Sequence, residues 1–193
     1  MPLHGLPDLA LIRPGRMHEA TGPGRQAFAA ALAGRLSGPV LWVRERRARD
    51  TLCPQGLLAF FDPARLVLAR PTGARAVLQV MEEALRSGAA PLVVAELAEA
   101  TDLTASRRLQ LAAGAGATRG LCLLPQARTR PNAAETRWHC TPIPGGGARQ
   151  LWKLVKNKRG RLGTWEVAWG EESGEAPEKD RGGGAARPAT VCT

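Results

Sequence analysis

The stretch from Arg16 to Val43 constrains the fold more than any other. It begins Arg16-Met17-His18-Glu19-Ala20-Thr21, passes Gly22-Pro23-Gly24-Arg25-Gln26, runs through Ala27–Leu36 and closes on Val40-Leu41-Trp42-Val43. Phe28, Ala31, Leu32 and Leu36 fall at helical spacing and give one apolar stripe. Val40–Val43 is a continuous apolar run after a Gly-Pro breaker, as in a strand covered on both faces. The order strand, Gly/Pro turn, helix, strand is the order that carries a phosphate loop in nucleotide-binding proteins. Such a loop needs four residues between its glycines and then Gly-Lys-Ser/Thr, so that backbone amides, an ammonium and a hydroxyl meet phosphate and magnesium. Here only Pro23 separates Gly22 from Gly24, and Arg25 and Gln26 follow. This loop is too short to wrap a diphosphate. Gln26 is a poor magnesium ligand, and Arg25 does not reproduce a lysine's point charge. The bland alternative is a tight strand-to-helix turn whose helix N-terminus attracts an anion weakly.

The rest of the chain repeats the alternation. Arg44–Asp50 is a charged turn leading toward a short helix that Cys53-Pro54-Gln55-Gly56 interrupts. Leu66–Ala69 reads as a third strand. A helix capped by Thr72 runs to Ser87, with Ala76, Val77, Val80, Met81, Ala84 and Leu85 on one face and Gln79, Glu82, Glu83 and Arg86 on the other. Leu92–Ala95 is strand four, ending in Glu96; Thr104–Ala113 is a helix; Gly120–Leu124 is strand five. Strands and helices alternating at this spacing predict an α/β fold, a mostly parallel sheet flanked by helices on both faces. After Pro125 the pattern changes. Gln126–Ala134 is a polar, basic loop, and Thr136–Thr141, Gln150–Asn157 and Thr164–Trp169 alternate as antiparallel strands that extend the sheet, with turns at Gly145–Gly147 and Gly160. Trp165, Val167 and Trp169 share one face of the last. Three parts follow: a lead-in at 1–15 whose leucines lie over the core, a domain at 16–170, and a Gly-, Pro- and Glu-rich tail at 171–193 expected to be disordered.

The chain carries a formal charge of +10. The tail holds five of its 17 acids and three of its 27 bases, leaving 24 bases against 12 acids in the remainder. A surplus of this size points to an anionic partner, nucleic acid first, or to broad arginine substitution in a GC-rich genome. Arg149, Lys153, Lys156, Lys158, Arg159 and Arg161 fall in one turn-and-strand segment without an acid, and Trp138, Trp152 and Trp165 stand on the strands around it. Such a segment suits a nucleic-acid backbone or a protein partner; the alternative is a solvated edge with tryptophans facing the core. Of the four cysteines, Cys53, Cys122, Cys140 and Cys192, three lie in or near apolar runs and read as buried thiols of a reducing, cytoplasmic protein; none has metal-ligand spacing. His4, His18 and His139 are isolated, and His18 reads as a core histidine. No apolar run reaches the length of a membrane span.

Three stretches carry a family resemblance: Arg16-Met17-His18-Glu19 before Gly22-Pro23-Gly24; Leu103–Ala112; and Thr136-Arg137-Trp138 followed by Trp152–Gly160 and Gly163-Thr164-Trp165. Over Gly15 to about Gly170 the chain resembles the RecA/SulA-like superfamily and, within it, the ImuA proteins of bacterial SOS mutagenesis. The resemblance implies a RecA-like domain with a degenerate phosphate loop at Gly22, Pro23, Gly24, Arg25 and Gln26. It places Glu96 where a recombinase keeps the aspartate of its magnesium site, and Glu45 near the water-activating glutamate. Val155-Lys156-Asn157-Lys158 resembles a recombinase run whose lysines reach ATP across a subunit boundary. By resemblance the chain is a non-catalytic pseudo-ATPase without a cofactor, acting in translesion synthesis with ImuB, a polymerase-like protein lacking polymerase activity, and with an error-prone replicative-type polymerase. DNA and a second copy of the chain are further candidate partners. The same resemblance leaves two alternatives, a SulA-like cell-division inhibitor and a DNA-dependent ATPase.

Overall fold

The computed structural model describes residues 3–48, 52–126, 131–145 and 148–170. The expected disordered tail, Cys192, and parts of the 44–50, 126–134 and 145–147 turns lie outside them. One nine-stranded sheet spans the molecule. Its strands are β1 (Leu3–His4), β2 (Met17–Thr21), β3 (Val40–Val43), β4 (Leu66–Ala69), β5 (Leu92–Glu96), β6 (Arg119–Leu124), β7 (Thr136–Pro142), β8 (Arg149–Asn157) and β9 (Gly163–Trp169). They lie in the order β1-β9-β8-β7-β2-β6-β5-β3-β4. From β7 to β4 every pairing is parallel; β7, β8, β9 and β1 pair antiparallel. The α/β fold class expected from the alternation is therefore the one observed, with the three C-terminal strands extending the same sheet.

Helix α1 (Arg25–Gly34) covers one face, and α3 (Ala74–Ser87) with α4 (Leu103–Ala115) covers part of the other. Residues Phe28 to Ala33 of α1 are all buried rather than forming a single stripe. The reason is further cover: Leu6, Leu9 and Ile12 of the lead-in lie beside Phe28, Ala31 and Leu32, the Phe60 backbone lies against Gly34, and Leu3 and Leu11 pack on the same core. Phe28 sets the centre of this core, with ring centroids 5.2 Å from Trp138 and 4.8 Å from Trp152. On the opposite face Val77, Met81 and Leu85 of α3 are buried, as the stripe predicts.

Four local readings are corrected. Cys53-Pro54-Gln55-Gly56 does not interrupt a helix. Pro54–Leu57 is itself the single helical turn α2, since proline suits a first turn whose amide has no partner. Thr72 does not cap α3. The cap position is Gly73 at φ +88°, with no side-chain bond, whereas Asp102 caps α4 by accepting from the Ala105 amide at 2.7 Å. Cys53 is exposed, while Cys122 and Cys140 are buried. The unforeseen strand β1, two residues long, pairs with β9 and ties the lead-in to the sheet. A segment that short has no readable period. Among the described residues no helix is long and apolar enough to cross a membrane.

Candidate functional site

Parallel strands direct their carboxyl ends to one rim, which is where open α/β sheets place ligands. Here β3, β5 and β6 end around a cleft of about 580 Å³ whose wall includes Arg25, Glu45, Arg47, Glu96, Glu99 and Asp102. The turn Gly22-Pro23-Gly24 joins β2 to α1 beside it. Gly22 has φ +87°, and a Cβ there or at Gly24 would collide with the Cys140 carbonyl or the Gln150 side chain. Close packing on β7 and β8, not a phosphate, accounts for both glycines. The Gly24 amide donates to the Cys140 carbonyl at 3.0 Å, and the Arg25 guanidinium turns back to the Gly22 carbonyl at 3.0 Å. The Gly24 amide and one Arg25 nitrogen, two groups that would face an anion, are thus engaged within the protein.

Glu96, at the end of β5, is equally engaged. Its Oε1 accepts from Trp42 Nε1 at 2.8 Å and from Gln26 Nε2 at 3.3 Å, and its Oε2 lies 3.5 Å from the Arg44 guanidinium. Gln26, Trp42 and Arg44 come from α1, β3 and the turn after β3, so three elements meet at one carboxylate. Glu45 lines the cleft without joining this cluster. The arrangement gives Glu96 a countercharge and ties α1, β3 and the turn after β3 to the end of β5. Among the described residues no group of three or more His, Cys, Asp or Glu is placed to hold a metal ion.

The basic segment on β8 and its turn is dispersed by its neighbours. Arg149 pairs with Glu166. Lys153 is exposed. Lys156 Nζ donates to the backbone oxygen of Asn132 at 3.1 Å and to its Oδ1 at 3.2 Å, and Lys158 Nζ donates to the Ala133 carbonyl at 2.8 Å. Desolvation, then the charges of Lys158 and Arg137, hold the Lys156 ammonium below its ordinary pKa. Arg159 pairs with the mostly buried Glu135 at 3.0 Å. Arg161 is exposed at the turn. Trp138 and Trp152 are core residues, so of the three tryptophans only Trp165 remains partly accessible. The two lysines therefore pin the 132–133 backbone to β8. Beneath them Asn132 and Arg137 both hold the buried Glu19, Arg137 at 2.7 Å.

Comparison with known proteins aligns the chain over 199 positions with Protein ImuA of Caulobacter vibrioides, at 32% identity, covering 86% of this chain and 80% of that one. The chain belongs to the ImuA family. The ImuA sequence of a second Caulobacter vibrioides strain gives the same figures. No family model matches. In this ImuA-family chain the structure brings the turn residues Gly22–Gln26 and Glu96 to one rim and sets the basic turn of β8 at the other. Sequence reasoning missed Trp42 and Arg44 as partners of Glu96, and Glu99 and Asp102 as cleft residues. The available signal was that Trp42 lies near the end of β3 and that Arg44, Glu99 and Asp102 follow strands ending on the same rim.

Proposed function

We propose that this protein is a non-catalytic accessory factor of damage-induced translesion DNA synthesis, working with an ImuB-type protein and an error-prone replicative-type polymerase. Family membership supports the mutagenesis role. The observation that carries the non-catalytic part is Glu96, the carboxylate at the position resembling a magnesium site, whose two oxygens are taken up by Trp42, Gln26 and Arg44. Catalysis of phosphoryl transfer requires metal and positioned donors at the phosphates, and here the Glu96 carboxylate, the Gln26 side chain and the Gly24 amide are bonded to protein. The expected result is no ATP hydrolysis above background, with or without single-stranded DNA. DNA-stimulated turnover that vanishes on Glu96→Gln would overturn it. Co-purification with ImuB from damage-treated cells tests the partnership, and a chain that never associates with ImuB would sink that half.

A further inference from the structure

The rim where the parallel strands begin has a character of its own. In spatial order along it, Arg161 precedes β9, Arg159 follows β8, Arg13 and Arg16 precede β2, and Arg119 opens β6. Five adjacent strands at their usual spacing cover about 19 Å. Between the lead-in and the β8–β9 turn lies a recess of about 450 Å³ lined by Arg13, Arg159 and Arg161, with Leu162 and Trp165 as apolar wall. Its single carboxylate, Glu135, is mostly buried and forms an ion pair with Arg159 Nε. Arg13 and Arg161 are exposed, and neither guanidinium has a hydrogen bond among the described residues. The positive field extends inward: the charges of Arg119 and Arg16 add to burial in pushing the His18 pKa down.

We infer that this recess and the arginine rim beside it bind single-stranded nucleic acid through its phosphates. A line of arginines with one internal carboxylate matches a linear polyanion. The recess, with its indole and leucine, has the size of a ligand pocket and offers an apolar surface for a base. The site lies on the opposite rim of the sheet from the Glu96 cleft and does not depend on the accessory role proposed above. It uses Arg159 and Arg161 of the basic segment, adds Arg13 from the lead-in, and leaves out Lys156 and Lys158, which hold the 132–133 backbone.

The test is fluorescence anisotropy of the full chain with a labelled oligothymidylate of roughly 16 nucleotides, near the upper site size of such surfaces. The expected outcome for the double variant Arg13→Gln/Arg161→Gln is a loss of affinity on the order of tenfold, with a salt slope shallower by about 1.4, since each lost phosphate contact removes about 0.7. Arg75→Gln/Arg107→Gln, the same charge change on α3 and α4, should bind as wild type does. Lysine at positions 13 and 161 should restore part of the loss. If the glutamine double variant melts lower than wild type, Arg161→Gln alone carries the same test with half the change in slope. The inference is overturned if the wild-type chain does not bind the strand, if the two double variants lose affinity equally, or if polyglutamate of equal charge displaces the strand as well as unlabelled oligothymidylate does. The last result would mark an acidic protein segment as the occupant.

Discussion

His18 shows how much one buried residue can carry. Its Nε2–H donates to the Arg13 carbonyl at 3.2 Å, so Nδ1 accepts from Thr136 Oγ1 at 2.8 Å, and Thr136 in turn accepts from Trp138 Nε1 at 3.0 Å. This is the hydrogen-bond pattern of the neutral ring, the form that burial favours. Burial, set against the Arg13 carbonyl and reinforced by Arg119 and Arg16, lowers the pKa from 6.5 to about 4. Between those values the unfolded chain binds a proton that the folded chain does not. The stabilisation is therefore complete above pH 6.5 and is lost as pH falls toward 4, up to about 3 kcal/mol. Urea unfolding at pH 7.5 and 5 should show a larger loss for wild type than for His18→Gln, which cannot titrate; equal losses would refute the assignment. Glu19 has a comparable role, because Glu19→Gln leaves the half-buried Arg137 without its countercharge and should cost about 2 kcal/mol in the same assay. His18 as a core histidine was legible from its place in the strand before the Gly22-Pro23-Gly24 turn. The bonds at Glu96 were not, since Trp42, Gln26 and Arg44 converge on it only after β3 and β5 pair.

Elements were legible in proportion to their periodicity. The stripe of α3 and the alternation of β9 correspond to buried faces, because 3.6- and 2-residue repeats map directly onto one side of a helix or strand. Helix α1 escaped that logic. Its neighbours on the outer side are Leu6, Leu9 and Ile12, which belong to a segment without regular period. Phe28 is consequently the residue on which this element depends. Phe28→Ala removes the ring lying between Trp138 and Trp152 and should destabilise by about 3–5 kcal/mol, read from the denaturation midpoint at constant m. The edge strand β4 is the counter-example. It pairs only with β3, and Val67 and Leu68 are 54% and 44% exposed although all four of its residues are apolar. Val67→Thr should therefore change stability by no more than about 0.5 kcal/mol, and a larger loss would place β4 inside the core.

At the scale of the whole molecule the informative contrast is between the two termini. Composition distinguishes the ends poorly: both are rich in Gly and Pro, and the sequence assigns neither to the central α/β repeat. Physically the lead-in differs because its leucines meet an apolar surface that the sheet and α1 cannot cover alone. It supplies β1, buries Ile12, offers the Pro7 carbonyl to Arg35 and the Ile12 carbonyl to Arg119, and holds His18 through the Arg13 carbonyl. The stretch 171–193 contains Val191 and little else apolar, so its composition offers little surface to bury. Deleting 171–193 should therefore leave the melting temperature unchanged. Deleting 1–12 removes the β1 pairing and the cover on α1, and should lower it by about 10 °C or more, since roughly 1 kcal/mol corresponds to 2–4 °C at this chain length and several apolar side chains lose their burial together. Thermal melts of the two truncations alongside the full chain decide the matter. A lower melting temperature for the C-terminal truncation would show that the tail docks on the fold. An unchanged one for the N-terminal truncation would show that β2–β9 and their helices are stable without the layer that encloses α1.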